Sequence, residues 1–437
     1  MKEQLLHRAG EMRRRGFLKA AGAAVAAPWI VGARALGADG ARPASDRIGV
    51  ASIGIRNMGG GHLGALVHNR DAQVVAVCDV DYGVLGAAEK TVQKAYGEAA
   101  RSGAGGGCFA TRDFREILDR RDVDAAVLAV PDHWHVPMAI AACKAGKDVY
   151  CEKPLSLTIP QGQAMVRTVR RYGRVFQTGT QRRSSATVRH VCELVRNGRI
   201  GRVTKVTCGV GGWNRECGPT WQPEPVPPEL DYEMWLGPAP WAPYHPLRCH
   251  YSFRFVMDYS GGQLTNNGAH WSDVVQWALG ADDSGPVEVE GTCDWPTTGL
   301  FTVPRNIHVT ATYAGGAQVH FTDAGGEPKF YGTEGWIDSG NRSDPPSIAR
   351  SEVGPDEIRL YRSGGSHMDN FLECVRTRQE PAAPVEVGHR SATVCHLGVI
   401  AMRLGRKVRW DPAAEQFVND PEADRLLDRA LRSPWGI

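Results

Sequence analysis

The stretch that most limits how this chain can fold runs from residue 47 to residue 79. Arg47-Ile48-Gly49-Val50-Ala51-Ser52-Ile53-Gly54 reads as a buried strand, glycines follow at 59, 60, 61 and 64, and an apolar helical pattern continues through Leu66 and Val67. Val74-Val75-Ala76-Val77-Cys78-Asp79 is then a second strand that ends on a carboxylate. Strand, glycine turn, helix, strand and acid, with Asp79 25 residues beyond Gly54, is the order of a parallel sheet that holds a dinucleotide at a helix N-terminus. The glycines let a pyrophosphate approach the main chain, and the acid accepts hydrogen bonds from the adenosine ribose. Gly54, Arg56, Asn57, Met58 and Asp79 are therefore candidate cofactor contacts. Asp79 is followed by Val80-Asp81 with no arginine, which would repel a 2'-phosphate and favours NAD over NADP.

The glycine pattern departs from its ideal at one position. Read from Gly54, the run is Gly54-Ile55-Arg56-Asn57-Met58-Gly59, so Arg56 stands where a middle glycine is expected, and its side chain obstructs the closest main-chain approach unless it turns outward and pairs with a phosphate. A second literal match, Gly59-x-Gly61-x-x-Gly64, lies past the strand end and belongs inside the helix.

The same alternation continues. A helix and then a glycine-rich surface loop, 103–107, fill residues 84–107, and a short helix is expected over 113–120. Asp124-Ala125-Ala126-Val127-Leu128-Ala129-Val130 is a buried strand closing on Pro131-Asp132-His133-Trp134-His135, at the ligand side of a doubly wound sheet. His133 and His135 invite a metal reading, but two histidines without clear further ligands are insufficient. They are expected to cap a helix over 137–145 and, with Pro131, to line the cofactor pocket. Lys147-Asp148-Val149-Tyr150 is the next strand, and Cys151-Glu152-Lys153-Pro154 stops it on an ionisable pair. Proline at 154 keeps Lys153 out of helical torsions, so an extended backbone presents its amine at the sheet mouth. A helix over 161–172, a strand over 175–181 and a helix over 186–197 follow.

From Val203 the pattern changes to longer alternating strands, 203–208, 287–291, 307–313 and 317–322, suited to a mostly antiparallel sheet with one covered face. The fold class is thus α/β: a Rossmann-type doubly wound parallel sheet over 45–181, then a second α+β domain over 182–437 with a large open sheet, whose C-terminal helices can pack back on the first domain. Between those strands, 219–246 is rich in proline and aromatics, with Trp221, Trp235, Trp241, Tyr244 and His245. It suits either a loop pinned by aromatic packing or sugar stacking. Candidate substrate contacts are Trp134, Gln181, Trp241, Tyr244 and Asp273. Residues 261–279 read as one helix opening on glycines, with Asn266 and His270 four apart on one face near its N-terminus, where the imidazole stays neutral.

Composition enters through the first forty residues. Arg13-Arg14-Arg15-Gly16-Phe17-Leu18-Lys19, an alanine-rich apolar run and small residues near Ala35 and Ala38 are flanked as an export signal and are too short for a membrane span. The block, 1–38, resembles a twin-arginine signal with Arg14 and Arg15 as the pair. Without it, 44 Lys and Arg face 46 Asp and Glu, so no basic stripe points to nucleic acid, and no membrane span is expected in the mature chain. Eleven cysteines form no CxxC pair and mostly sit in apolar runs.

Together, the strand-glycine turn, Asp132 to His135, Cys151-Glu152-Lys153-Pro154, the segment 261–270, Gly332-Thr333-Glu334-Gly335 and Val387-Gly388-His389-Arg390 resemble the Gfo/Idh/MocA family, specifically its exported branch. The resemblance implies NAD, a sugar, polyol or glycoside substrate, a homo-oligomer and a periplasmic location. It assigns Lys153 to the family's catalytic lysine, with Glu152 beside it against the cofactor, and His270 to its catalytic histidine. Asn266 replaces the family's aspartate and can orient but not ionise. The implied activity is NAD-dependent oxidation of a hydroxyl, with the cofactor recycled in place. The alternatives are glycoside cleavage by oxidation, elimination and hydration, a metal-assisted lyase or hydrolase using His133, His135 and His250, or a sugar-binding protein without turnover.

Overall fold

Six short strands build a parallel sheet in the computed structural model, which describes residues 46–97 and 107–437. β1 (Ile48–Ile53), β2 (Ala72–Cys78), β3 (Phe109–Thr111), β4 (Ala125–Leu128), β5 (Asp148–Cys151) and β6 (Phe176–Thr178) lie in the order β3-β2-β1-β4-β5-β6. β1, β4, β5 and β6 are buried at every position, as strands covered on both faces must be. The helices of this half are α1 (Met58–Leu66), α2 (Tyr82–Tyr96), α3 (Phe114–Leu118), α4 (Asp132–Lys144) and α5 (Ile159–Tyr172). Local chemistry sets their ends. Asp81 caps α2 by accepting the Gly83 and Val84 N–H groups, and Thr158 caps α5, which stops at Gly173 in the left-handed region. Because the chain winds outward from β1 on one side and restarts at β4 on the other, a crevice opens at the carboxyl ends of β1 and β4.

Beyond α6 (Ala186–Arg196) the chain forms a nine-stranded sheet. Its strands are β7 (Val203–Val210), β8 (Pro286–Asp294), β9 (Arg305–Tyr313), β10 (Gln318–Thr322), β11 (Gly325–Gly332), β12 (Gly335–Asp338), β13 (Ser343–Asp344), β14 (Val408–Asp411) and β15 (Gln416–Phe417). They lie in the order β13-β12-β11-β7-β10-β9-β8-β14-β15, and β7 and β10 are parallel while the other pairs are antiparallel. The remaining helices are α7 (Tyr232–Leu236), α8 (Gln263–Asn266), α9 (Gly268–Leu279), α10 (His367–Thr377), α11 (Val385–Leu404) and α12 (Pro421–Asp424). One sheet face is apolar: Ile307, Val309 and Ala311 of β9, Val319 and Phe321 of β10, and Phe330 of β11 join Leu194, Val274, Trp277 and Leu397 from α6, α9 and α11 in one core. α11 touches α5 as well as β8 and β9, tying the two sheets together, and α10 sets Phe371 edge-on to Tyr150 of β5. At the end of the chain, Trp435 packs on Trp134.

A long excursion between β7 and α8 returns to the first sheet. Tyr82 N–H donates to Glu229 O and Asp231 N–H to Val80 O, both at 2.9 Å, so this segment roofs the crevice beside β2. Its aromatics are pinned by packing: Tyr244 stands edge-on to Tyr232, and Trp235 edge-on to Tyr259.

Two helix boundaries differ from expectation. α4 starts at Asp132 rather than at Pro137, because extended Pro131 caps it and Pro137 is carried inside the helix. His133, Trp134 and His135 thereby enter the first turn instead of preceding it. The helix expected over 261–279 is interrupted at Asn267, where α8 ends and α9 begins, and His270 N–H donates to Asn267 O at 3.1 Å in a tightened turn. Asn266 and His270 consequently do not share one continuous helix face. The export segment, 1–38, and residues 103–106 of the glycine loop lie outside the described residues.

Candidate active site

The crevice at the carboxyl ends of β1, β2, β4 and β5 is a cleft with an empty volume of about 1110 Å³. Its sheet side carries Gly54, Arg56, Asn57, Met58, Asp79, Pro131, Trp134, His135, Glu152 and Lys153, and its roof carries Leu230, Trp235, His250 and Arg254. Of the residues expected to bind a cofactor, all but His133 line it.

The turn after β1 requires its glycines. Gly54 sits at φ +79°, and a Cβ there would lie 2.6 Å from Ala129 O; a Cβ on Gly59 would lie 1.8 Å from Gly54 O. Arg56, between them, turns outward and pairs with Asp81 at 2.5 Å. Asn57 gives α1 no side-chain cap. Asp79 accepts Ile55 N–H at 2.8 Å and Asp81 N–H at 3.0 Å, one on each oxygen, leaving lone pairs for a ribose. Burial raises the Asp79 carboxyl above its ordinary range. Asp81 is held below its range, because the Arg56 hydrogen bond and the α2 N–H groups outweigh burial. A glycine turn without room for side chains, an uncapped helix start and a ribose-side carboxylate fit a dinucleotide.

At the far end of the cleft, Lys153 extends its amine to Asn266, 3.0 Å from Oδ1 and 3.2 Å from the main-chain oxygen. Both acceptors are neutral. Burial lowers Lys153 below the usual lysine range, partly offset by the charges of Glu152 and Asp132. Asp132 itself is raised by burial and accepts the Ser260 hydroxyl at 2.5 Å. Behind Lys153, Glu152 accepts hydrogen bonds from His62 and Gln181, each at 2.8 Å. That Gln181 leads into a second recess of about 780 Å³ against the larger sheet, lined by Arg182, Gly209, Gly211, Asn267, His270 and Trp271. Burial, reinforced by the Lys153 charge, pushes His270 down to about 3, so its ring is neutral at ordinary pH. Its Nδ1 is buried with no hydrogen-bond partner among the described residues. Asn266 and Lys153 thus face the first cleft, whereas His270 and Gln181 face the second recess.

Other expected positions fall elsewhere. His133 is buried at the Trp235 main-chain oxygen, 3.0 Å away, and burial lowers it to about 3. His135 places one ring nitrogen 2.6 Å from Pro154 O and the other 2.9 Å from Val130 O. These contacts direct the two rings into protein rather than toward a shared ion, and no group of three or more His, Cys, Asp or Glu side chains suited to a metal occurs among the described residues. Trp134 lines the cofactor-side cleft, not the second recess, with its indole N–H donating to Met234 O at 3.0 Å. Trp241 is 67% exposed and Tyr244 is in the core; neither lines the cleft or the second recess. Asp273, expected at the substrate, is fully buried against Arg183 at 2.8 Å and is pushed up to about 6 by burial. α9 turns it away from the recess that His270 lines. His62, Arg182, Arg254 and Trp271 were not singled out by sequence. His62 lies in a glycine run that reads only as helix, and its carboxylate partner is 90 residues away.

Residues 48–180 match the NAD-binding Rossmann fold of an oxidoreductase family model, and residues 184–437 match the same family's C-terminal alpha/beta domain. The chain belongs to the Gfo/Idh/MocA oxidoreductase family, and its first domain is that family's NAD-binding domain. Among curated relatives, it is 28% identical over 170 residues to a 2,7-anhydro-N-acetylneuraminate hydratase of Mediterraneibacter gnavus, covering 38% of this chain and 41% of the relative. It is 30% identical over 178 residues to an alpha-N-acetylgalactosaminidase of Shewanella oneidensis, covering 37% of each. The chain therefore spans well under half the length of these curated relatives in the matched region. Among solved structures, the WlbA dehydrogenase of Bordetella pertussis, in complex with NADH and UDP-GlcNAcA, superposes with a TM-score of 0.61 at 20% identity, over 84% of this chain and 99% of that one. At that identity the likeness speaks for the fold.

Proposed function

We propose that the protein is an NAD-dependent oxidoreductase acting on a hydroxyl of a sugar, polyol or glycoside. The observation that carries this reading is the Lys153 amine, held by neutral Asn266 at the end of the dinucleotide cleft, with the neutral imidazole of His270 lining a second recess against the larger sheet. Gly54, Asn57, Met58 and Asp79 would hold the cofactor, and its nicotinamide would supply a hydride acceptor. The chain's own part is proton management. Lys153 hydrogen-bonds and orients the reacting hydroxyl, His270 takes its proton through a neutral imidazole, and Asn266 fixes the amine without ionising.

Glycoside cleavage through the same first oxidation is a second reading, favoured by the likeness to the alpha-N-acetylgalactosaminidase. Two proposals rest on sequence alone: export to the periplasm through the Arg14-Arg15 segment, and assembly as a homo-oligomer. Purified protein incubated with a panel of sugars and glycosides tests the main reading. Reduced nicotinamide absorbance, bound or released, with a keto-sugar product is expected. A protein that neither retains nor binds NAD overturns it, and release of aglycone without net reduction selects glycoside cleavage. Cell fractionation of the Arg14→Lys/Arg15→Lys variant checks export, and sedimentation checks assembly.

A further inference from the structure

Lys153 stands between two carboxylates with opposite surroundings. Asp132 is buried and its charge is disfavoured, since burial outweighs the Ser260 hydrogen bond. Glu152 is equally enclosed, yet its carboxyl is held below the ordinary range, because the His62 hydrogen bond and the Lys153 charge help to outweigh burial. When environments push two neighbouring acids apart, their roles differ.

The geometry behind Glu152 is built rather than incidental. His62 Nε2 and Gln181 Nε2 converge on one oxygen, Oε1, at 2.8 Å each. Gly179 makes room for the carboxylate: a Cβ there would lie 2.8 Å from it. The His62 ring stands edge-on to Tyr150 at 5.1 Å, and the Tyr150 hydroxyl accepts Gln181 at 3.0 Å. Three separated segments, α1, the end of β5 and the residues just after β6, thus converge on one carboxylate. The direct partner of the Lys153 amine, Asn266, brings no charge.

We propose that His62 and Glu152 form a buried hydrogen-bonded dyad that supplies, behind Lys153, the negative charge Asn266 cannot, with His62 as a positioning residue acting through Glu152. This rests on the reading of Lys153 as the amine that hydrogen-bonds the reacting hydroxyl. The charged and titratable groups facing the dyad are Lys153 and His270 toward the substrate side and Tyr150 and His367 behind it; Lys153 also faces Asp132 and Arg254. The dyad stabilises the ammonium form of Lys153 against its burial, and so sets the pH at which Lys153 loses its proton.

The test is trace acetylation of Lys153 with acetic anhydride across pH on the purified full chain, read by mass spectrometry of the peptide that carries it. Glu152→Gln is expected to lower the labelling midpoint by roughly one to three pH units. His62→Leu should lower it in the same direction, and His62→Gln, whose amide can donate to the same oxygen, should restore it. Should the leucine variant not fold, His62→Phe keeps a ring against Tyr150 and deletes only the donor. An unmoved midpoint in Glu152→Gln overturns the proposal. A shift in Glu152→Gln with none in the His62 variants overturns the part given to His62. Labelling needs neither substrate nor turnover, so its outcome is separate from failure of the oxidoreductase reading; where turnover is seen, the acid limb of kcat/KM should follow the labelling midpoint.

Discussion

The first turns of α4 and α9 both carry histidine at the candidate site, and they set it in different surroundings. His133 and His135, two residues apart, are spent on main-chain oxygens of Trp235, Pro154 and Val130. His270 emerges beside Gly209 and Gly211, which present no side chain, and borders the recess; its Nδ1, like that of His133, is buried without a hydrogen-bond partner among the described residues. The pair that is most conspicuous in sequence is tied to main-chain oxygens, while the isolated histidine is the one that borders the glycine-lined recess. The difference lies in what packs over each turn: the roof segment and the sheet close over α4, whereas a glycine-lined recess opens at α9.

The largest effect is expected at the residue both turns surround. Lys153→Ala should lower the rate of hydride transfer by about 10²–10⁴-fold while leaving NAD affinity nearly intact, as read by rapid formation of reduced nicotinamide and by equilibrium titration. Turnover at the wild-type rate would remove Lys153 from the mechanism. His270→Ala should follow with about a 10²-fold loss in kcat and little change in melting temperature. His133→Gln should invert that pattern, costing roughly 1–3 kcal/mol in urea unfolding with kcat unchanged. The acid response separates them further. His133 is held near 3 in the fold and must release its proton to be buried, so the unfolded chain binds more protons below the unfolded histidine value of about 6.5. Its neutral burial thus costs no stability above that pH and progressively more as pH falls toward 3. The His133→Gln variant should lose stability less steeply over that window, by up to about 1.4 kcal/mol per pH unit. Parallel acid slopes would mean that His133 does not titrate on unfolding.

The contrast also explains what could be read in advance. Gly54, Asp79, Glu152 and Lys153 were legible because strand ends and turn glycines recur at fixed spacing, and spacing survives in one dimension. Asp273, a candidate substrate contact by sequence, is instead directed by α9 to Arg183, an ion pair no local pattern encodes. Pro137 reads as a helix start, although Pro131 already supplies the extended cap. His62 left no trace, since its meaning depends on a carboxylate brought to it by sheet topology. Pairings across long sequence separations carry the parts of the site that spacing cannot.

Restoring a carboxylate at 266 should have a smaller, signed effect. In Asn266→Asp the new charge would sit at the Lys153 amine, favour the ammonium and move the acid limb of kcat/KM upward by roughly one pH unit or more. A downward move would mean that Lys153 is not the group behind that limb.

The smallest effects compare two tryptophans that sequence alone cannot rank. Trp271 lines the recess of His270, donates its indole N–H to Gly209 O at 3.1 Å and lies under the Arg182 guanidinium, with 5.1 Å between the guanidinium carbon and the ring centre. Trp241 is largely exposed and borders neither the cleft nor the recess. Trp271→Ala should therefore raise the KM for a sugar by about two- to tenfold, the 0.5–1.5 kcal/mol of an aromatic contact, without changing NAD affinity. Trp241→Ala should change neither KM nor, beyond about 0.5 kcal/mol, stability. If Trp241→Ala raised KM instead, the substrate would have to reach beyond the recess to the outer surface of the roof segment, and the ring would be a stacking platform for a longer glycoside rather than a solvent-facing side chain.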